Sequence, residues 1–207
     1  MSNYSIAKAT LGRLPKYLEY LKSLPKDKDA TISANAIAKA LSLGEVQVRK
    51  DLAAASGAGK PKIGYEREKL ISDIERYLGY DGLTNAVLVG AGKLGKALLD
   101  YDGFEEFGVK IIAAFDKNEG IISEENAERP ILSITKLKDF CSENRVKLGI
   151  ITVGKESAQE VCDMLIDCGI EGVWNFAHCV LSVPAGILVK QENLALSLAH
   201  LSSMISK

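Results

Sequence analysis

The sequence predicts an α/β protein in which an N-terminal winged helix-turn-helix domain is followed by a Rossmann-type domain with a doubly wound parallel sheet. Three observations predict this architecture. Residues 87–95 run from an apolar strand through a glycine-rich turn into a helix. Apolar strand patterns then alternate with helical patterns as far as residue 176, which is typical of a parallel sheet. Before residue 80, two short helical patterns meet at a tight turn that contains Gly44.

The balance of charged residues also changes near residue 80. The net charge of the 207 residues is −1, but residues 1–80 contain 14 Lys and Arg against 9 Asp and Glu. Residues 81–207 contain 12 against 18. A basic domain joined to an acidic one indicates a polyanionic partner for the first domain only.

Composition predicts a cytoplasmic protein with no membrane partner. No apolar stretch approaches the roughly 20 residues that a bilayer requires, and the first residues lack the charged-then-apolar pattern of a secretion signal. The cysteines lack the CxxC spacing and the histidine cluster of a metal site, so we predict no bound metal. We interpret them as reduced and mostly buried, with a thiol redox switch as the alternative. They are Cys141, Cys162, Cys168 and Cys179.

The N-terminal domain begins with an amphipathic helix over Leu11–Leu24, in which leucines recur at helical spacing. Pro15 indicates that the regular helix starts near Arg13, so that the proline lies in the first turn. Ser33 can cap a short helix over residues 34–41.

The next helix, over residues 45–55, has the composition of a DNA recognition helix. Gln47, Lys50 and Asp51 share one polar face, and Arg49 adds a second long cation. Because a short helix and a glycine turn precede it, the pair forms a helix-turn-helix pattern.

A segment rich in Gly and Pro, residues 56–65, follows and carries two lysines. It predicts a wing, a hairpin loop that reaches a phosphate backbone. The alternative is a small helical dimerisation or linker module whose charges are merely solvated. The predicted DNA contacts are Gln47, Arg49, Lys50, Lys60 and Lys62. A further helix over residues 70–80 leads to the domain boundary.

The glycine-rich turn has the spacing of the dinucleotide-binding fingerprint GxGxxG. Gly90 permits the tight turn, Gly92 lets the backbone approach a pyrophosphate, and Gly95 lets the helix lie close to the strand. The next strand, Lys110–Phe115, ends in Asp116 about twenty residues later, where a carboxylate can accept ribose hydroxyls. An acid at this position favours NAD over NADP, with Lys117 beside it as the opposing feature.

A third apolar strand ends in Thr152, Val153 and Gly154. Because the carboxyl ends of parallel strands meet at one edge of a sheet, these residues, Gly90 and Asp116 should rim one cleft. The predicted cofactor contacts from these motifs are Gly90, Ala91, Gly92, Lys93, Leu94, Gly95, Asp116, Lys117, Thr152, Val153 and Gly154. The alternative is a glycine turn in an α/β domain that binds no nucleotide.

The last helix, Gln191–Ser206, carries an apolar stripe of Leu194, Leu198, Leu201 and Ile205. No later element can cover this stripe, so we expect it to dock on a second subunit. The sequence thus predicts a winged-helix DNA-binding domain over residues 1–80, an NAD(H)-binding domain over 81–190 and a dimerisation helix over 191–207.

The chain resembles the Rex family of NADH-sensing transcriptional repressors over nearly its whole length. The most specific matching run is Gln47–Leu52, with the sequence QVRKDL. The other matching segments are Arg13–Pro15, Gly64–Tyr65, Val89–Gly95, Phe115–Asp116, Thr152–Val153, Ala158–Gln159, Gly169–Ile170 and Asn175–Ala177.

The resemblance implies a homodimer that binds a palindromic operator as a repressor and leaves it when NADH binds, with NADH and NAD+ as the cofactors. It places Arg49 and Lys50 on the recognition helix and Tyr101 near the nicotinamide. It also implies that the C-terminal helix is swapped onto the partner subunit.

The chain departs from the family pattern in several places. Ala53–Ser56 replaces a Ser-Tyr-Phe-Gly run, and Lys60–Lys62 replaces an arginine-glycine tip of the wing. Glu19 and Asn193 stand where some members have an Arg–Asp pair that couples the domains, so that pair is not carried over. His178 replaces a proline, which we interpret as a change in packing.

A second hypothesis is a small NAD-dependent oxidoreductase with an accessory N-terminal helical module. Hydride transfer to a carbonyl needs a positioned acid or base. The histidines are His178 and His200, and the sequence contains no Tyr-x-x-x-Lys pair. A third hypothesis, a dimerisation scaffold with a degenerate nucleotide site, conflicts with the intact glycines and Asp116. We therefore predict no catalytic residue.

Overall fold

The computed structural model of the protein describes residues 8–25, 30–80, 82–123 and 128–205. The chain forms two compact units, Met1–Gly82 and Leu83–Lys207. Each unit has a hydrophobic core of its own.

The first unit combines helices with a short two-stranded sheet. Its elements are helix α1 (Lys8–Ser23), strand β1 (Thr31–Ile32), helix α2 (Ala34–Ala40), helix α3 (Glu45–Ser56), strand β2 (Tyr65–Glu66) and helix α4 (Arg67–Leu78). The two strands pair antiparallel, with Ile32 opposite Tyr65. Ser33 caps α2 as predicted, because its hydroxyl accepts a 3.1 Å hydrogen bond from the Ala36 amide. This is the predicted winged helix-turn-helix architecture.

The predicted start of the first helix near Arg13 is wrong. Helix α1 begins at Lys8, so Pro15 lies in its interior. Proline has no N–H to bond the Leu11 carbonyl, so the helix lacks one backbone hydrogen bond at this point. The buried residues Leu14 and Leu18 on either side of the proline anchor the helix in the core.

The second unit contains a six-stranded sheet flanked by helices. Its elements are β3 (Thr84–Val89), α5 (Lys93–Leu99), β4 (Val109–Asp116), β5 (Ile131–Ser133), α6 (Leu137–Asn144), β6 (Leu148–Ile151), α7 (Lys155–Asp167), β7 (Gly172–Asn175), β8 (Leu188–Gln191) and α8 (Leu194–Ile205). Short 3-10 turns lie at Asp102–Phe107, Glu119–Ile121 and Ile134–Lys136. Neighbouring strands are parallel in the order β5-β4-β3-β6-β7-β8. This is the strand order of the Rossmann sheet, as predicted.

Alternate residues of the strands pack on opposite faces of the sheet. Val87 and Val89 face α6 and α7, where they join Leu137 and Leu165 in the larger core. Leu88 lies on the other face, in a smaller cluster to which α5 contributes Leu99. Helix α8 joins neither cluster, and none of its described residues is buried.

Several element boundaries differ from the sequence predictions. Helix α5 begins at Lys93, inside the fingerprint motif, and ends at Leu99, before Tyr101. Strand β8 was not predicted at all. It is an edge strand with every residue exposed, so its side chains show no alternation of burial that a pattern could reveal.

Helix α5 packs directly against the end of β3 at Gly95. A Cβ atom at Gly95 would lie 2.0 Å from the Gly90 carbonyl oxygen and 3.0 Å from Leu88 Cδ2. We therefore expect Gly95→Ala to lower the free energy of unfolding by about 2 kcal/mol or more, as overpacking against backbone does. Gly92→Ala is the matched control in the same turn, because a Cβ there meets no atom within 4 Å.

Urea unfolding followed by circular dichroism measures both variants. Equal stability of the two variants would contradict the close approach of helix and strand.

Candidate nucleotide-binding cleft and DNA-binding surface

A cleft of about 450 Å³ lies at the carboxyl ends of β3, β4 and β6. Its size is within the range of about 300 to 1,000 Å³ typical of small-molecule sites. The lining residues are Val89, Gly90 and Gly92 after β3, Asp116 and Lys117 after β4, Thr152, Val153 and Gly154 after β6, then Ile134, Ser157, Glu160, Val161 and Met164. The structure therefore brings the three predicted strand-end segments together.

The fingerprint turn is held between its two neighbouring strands. Gly90 has a φ of +106°, and a Cβ there would lie 2.8 Å from Val153 Cγ1. The Thr152 hydroxyl donates a 2.7 Å hydrogen bond to the Gly90 carbonyl. On the other side, the Gly90 amide donates to the Phe115 carbonyl at 2.8 Å. Only glycine combines this backbone angle with this close approach.

Backbone amides orient the carboxylate of Asp116. Its Oδ2 accepts a 2.8 Å hydrogen bond from the Ala91 amide, and its Oδ1 accepts a 2.9 Å bond from the Asn118 amide. Each carboxylate oxygen can accept a further bond. The carboxylate is therefore fixed at the rim of the cleft and can still accept bonds from a pair of hydroxyl groups.

Four predicted cofactor residues of the fingerprint motif do not line this cleft, although Gly92 between them does. Ala91 and Gly95 are buried behind the turn, whereas Lys93 and Leu94 are exposed on the first turn of α5. A Cβ at Gly92 would meet no described atom within 4 Å.

Tyr101 is also absent from the lining of the cleft. It is 58% exposed and packs edge-on against Phe104, with 5.0 Å between ring centroids. Phe104 in turn contacts Trp174.

A second depression, of about 480 Å³, opens over these aromatic residues. We call it the apolar groove. Phe104, Ile150, Trp174 and Leu188 contribute to its lining. Side chains along α8 are also exposed, by 54% to 79%. They are Leu194, Leu196, Leu198, Leu201, Met204 and Ile205.

The first unit brings three of the predicted DNA contacts together. Arg49, Lys60 and Lys62 line a depression of about 390 Å³ between α3 and the wing. Arg49 forms an ion pair with Glu45 one helical turn earlier. The tip of the wing is closed by backbone bonds between Lys60 and Gly64. Gln47 and Lys50 are exposed on α3 but do not line this depression.

The prediction that Asp51 lies on the polar face of α3 is wrong, because the residue is buried. Asp51 is only 2% exposed, and its carboxylate accepts hydrogen bonds from several side chains of α1 and α3. The donors are Thr10 (3.0 Å to Oδ1), Arg13 (2.9 Å to Oδ1 and 2.7 Å to Oδ2), Tyr17 (2.8 Å to Oδ2) and Gln47 (3.0 Å to Oδ1). The spacing from Val48 and Leu52, both buried, could have indicated that residue 51 faces inward.

The Asp51 cluster shifts the pKa values of its members. Burial alone would raise the pKa of Asp51, but the hydrogen bonds from Arg13, Tyr17, Thr10 and Gln47 outweigh it and lower the pKa below its ordinary value. Burial and the neighbouring Asp51 carboxylate raise the pKa of Tyr17 to about 12. The same carboxylate raises the pKa of Arg13. Asp51 is therefore an anion and Arg13 a cation near neutral pH.

The cysteines are free thiols in the part of the chain that the structure describes. Burial raises the pKa of Cys141 to about 12 and also raises the pKa of Cys162 and Cys168. A protonated thiol is a poor nucleophile and metal ligand. Within the described residues, no group of three or more His, Cys, Asp or Glu side chains could hold a metal ion. None of the described helices is long and apolar enough to cross a membrane.

Two protein-family models match consecutive parts of the chain. One, described as "CoA binding domain", matches residues 81–179. The other, described as "Putative DNA-binding protein N-terminus", matches residues 5–53. The two matches fall largely in different units of the structure.

Relatives match the chain over its whole length. It is 38% identical over 200 residues to the redox-sensing transcriptional repressor Rex of Treponema denticola, covering 97% of this chain and 95% of the relative. It is also 38% identical over 207 residues to the Rex repressor of Clostridioides difficile, covering 100% of this chain and 99% of the relative.

Solved structures of RSP, described as a Rex-family repressor, are similar to both units. The complex of RSP with β-NAD+ and operator DNA has a TM-score of 0.88 at 30% identity, covering 97% of this chain and 92% of that chain. The complex of RSP with β-NADH has a TM-score of 0.85 at 28% identity, covering 98% and 95%.

The raised pKa of Tyr17 predicts a loss of stability in alkaline solution. A group whose pKa is higher in the folded state stabilises the fold below its unfolded pKa, which is 10.0 for tyrosine, and this contribution is lost as the pH rises towards about 12. Two pH units correspond to about 2 to 3 kcal/mol. Tyr17→Phe has no hydroxyl to ionise, so the variant should not show this loss.

Urea unfolding of both proteins between about pH 9 and pH 12 tests this expectation. Because other groups titrate equally in both proteins, the difference between their free energies of unfolding isolates Tyr17. Parallel pH profiles would contradict the assignment of Tyr17 as a buried donor to Asp51.

Proposed function

The chain belongs to the Rex family of redox-sensing transcriptional repressors, and from this membership we propose how its two units carry out that function. The protein is a DNA-binding repressor that responds to NADH and NAD+. The relatives are named as repressors and not as enzymes, so the hypothesis of a small oxidoreductase is set aside and no catalytic residue is assigned. The observation that carries the proposal is the cleft at the fingerprint turn, which contains an oriented acid and an open glycine.

NAD(H) is held in this cleft by groups that the fold has already positioned. The pyrophosphate lies over Gly92, where a Cβ would meet no atom of the described residues within 4 Å. Asp116 accepts bonds from the ribose hydroxyls, with Lys117 beside it. Thr152, Val153 and Gly154 form the opposite rim, and Ala91 and Gly95 support the turn from behind. Lys93 and Leu94 continue the motif into α5. Tyr101 as a nicotinamide contact rests on the family resemblance alone.

Operator DNA is bound by α3 and the wing. Gln47, Arg49 and Lys50 stand on the exposed side of α3, where long side chains reach base edges and phosphates. Lys60 and Lys62 of the wing contact the phosphate backbone, which supplies affinity without sequence preference. Such a repressor has to meet its operator, so we propose that it works in the cytoplasm.

The protein is proposed to act as a homodimer joined through α8. The exposed leucines of α8 and the apolar groove are two unpaired apolar surfaces on the same unit. If α8 of each chain lies in the groove of the other, a two-fold symmetric dimer buries both surfaces. No metal ion forms part of this proposal.

NADH releases DNA by changing the arrangement of the two subunits. The cofactor cleft and α3 belong to separate units, so the ligand does not compete with DNA for the same residues. A dimer arrangement that moves the two recognition helices away from half-sites about one helical turn apart weakens operator binding. NADH and operator binding are then reciprocally coupled, and NADH needs a differential affinity of several kcal/mol between the two arrangements.

Gly92→Ala should separate DNA binding from its control by NADH. A methyl group at this position fits the free protein but intrudes on the bound pyrophosphate, so we expect NADH affinity to fall roughly tenfold or more, about 1.4 kcal/mol. In a mobility-shift titration, wild-type protein should leave its operator as NADH rises. Gly92→Ala should bind the operator equally well and need roughly ten times more NADH for release.

Asp116→Ala provides a second variant, expected to lose roughly tenfold in NADH affinity because a charge-assisted hydrogen bond is worth about 1.5 to 3 kcal/mol. Calorimetry measures NADH binding directly in both variants. If Gly92→Ala left its operator at the same NADH concentration as the wild-type protein, the proposed position of the pyrophosphate would be contradicted. NAD+ serves as the control ligand in each titration.

Removal of the residues after Gln191 should abolish both dimerisation and the NADH response. The shortened chain loses the whole apolar stripe of α8, so we expect a monomer in analytical ultracentrifugation and weak operator binding. His200→Ala is the matched control, since His200 is exposed on α8 but lies outside the stripe. A shortened chain that remains dimeric and still releases operator DNA with NADH would rule out dimerisation through α8.

A further inference from the structure

Gln47 is an exposed residue of α3, but its side chain is tied to the buried Asp51. Its Nε2 atom donates a 3.0 Å hydrogen bond to Asp51 Oδ1 one helical turn later. The carboxylate cannot turn away, because Arg13 binds both of its oxygens and Tyr17 donates to Oδ2. One end of the Gln47 amide is therefore anchored to a rigid group.

The chemistry of Asp51 decides which end of the amide is anchored. An ionised carboxylate only accepts hydrogen bonds, so it can be faced by the NH2 group of Gln47 but not by its carbonyl oxygen. An amide turned the other way would place Oε1 against a carboxylate oxygen and lose the bond. The tether leaves Oε1 and the second Nε2 hydrogen available, which are one acceptor and one donor side by side.

We propose that the buried Asp51 positions Gln47 to recognise one adenine in each operator half-site. Adenine offers an N6 amino donor beside an N7 acceptor in the major groove, and a glutamine amide pairs with both. The Oε1 atom accepts from N6, and the remaining Nε2 hydrogen donates to N7. Asp51 is a positioning residue, since it is buried and acts through Gln47. The inference rests on the proposed function, in which α3 enters the major groove.

The tether also predicts that guanine is rejected at this position. Guanine presents two acceptors, O6 and N7, and would need two donors from the reading side chain. Gln47 has already given one of its two hydrogens to Asp51. Its side chain also has less rotamer freedom to lose on binding than an untethered glutamine, which favours the adenine complex further.

The first part of the test maps base recognition with the full-length protein. Duplexes selected by wild-type protein from a random pool are scanned by exchanging each base pair, and by placing 7-deazaadenine, which lacks N7, at each adenine. We expect one adenine per half-site where both changes weaken binding roughly tenfold. Gln47→Met, with a side chain of similar length, should lose the discrimination at that adenine and keep it elsewhere. Retained discrimination would overturn the proposal.

The second part tests the role of Asp51. Asp51→Leu, whose side chain has a similar size and no acceptor, should lose the same discrimination as Gln47→Met, whereas Thr10→Ala should keep it. Thr10 is the matched control, because it donates to the same Oδ1 atom and lies on α1. A folded Asp51→Leu that still distinguishes adenine would overturn the proposal.

NMR relaxation of the Gln47 side-chain Nε2 in the free wild-type protein requires no variant at all. An Nε2 as rigid as the backbone is expected, and one as mobile as a free surface amide would overturn the tether even if Asp51→Leu does not fold. A wild-type protein that selects no DNA from the pool would instead overturn the proposed function. The NMR relaxation would in that case still show whether Asp51 holds the Gln47 side chain.

Discussion

The second unit depends on a close approach of three backbone segments that leaves no room for a side chain. Helix α5 approaches the turn after β3 at Gly95, and the same turn approaches the end of β6 at Gly90. Hydrogen bonds from Thr152 and from the Gly90 amide close the contact on both sides. The lack of side chains at Gly90 and Gly95, together with the bond from the Thr152 hydroxyl, therefore sets how closely β3, β6 and α5 approach one another. This contact determines the shape of the cleft. Among the three fingerprint glycines, Gly92 is the one at which a Cβ would meet no described atom within 4 Å.

The first unit is organised by a charged group inside a small core. A buried carboxylate costs stability unless every lone pair finds a donor. Asp51 meets this condition with donors from three positions on α1, Thr10, Arg13 and Tyr17, and with Gln47 on its own helix. These bonds hold α1 in one orientation against α3.

The sequence predicted the parts of the structure in which the backbone conformation requires particular residues. The fingerprint turn, the acid after β4 and the end of β6 all appear at the predicted cleft, because glycine spacing and strand order determine them together. Strand β8 escaped prediction because an exposed edge strand has no pattern of burial. The spacing from Val48 and Leu52 faces Asp51 inward, but its donors on α1 lie 34 to 41 positions earlier in the chain, so no local pattern shows the partners that allow a carboxylate to be buried. Tyr101 does not line the cleft. It follows the end of α5 at Leu99 and packs against Phe104.

The separation of α8 from α3 has a genetic consequence. Helix α8 lies in one compact unit and α3 in the other, so a substitution that disables α3 leaves the proposed dimer contact intact. A chain altered in this way would still pair with normal chains when both are made in one cell. Each mixed dimer would carry one working recognition helix and would fail on a two-half-site operator. Loss-of-function alleles in α3 should therefore be dominant, whereas alleles that remove α8 should be much less so, because a mixed pair keeps only one of the two contacts between α8 and the apolar groove.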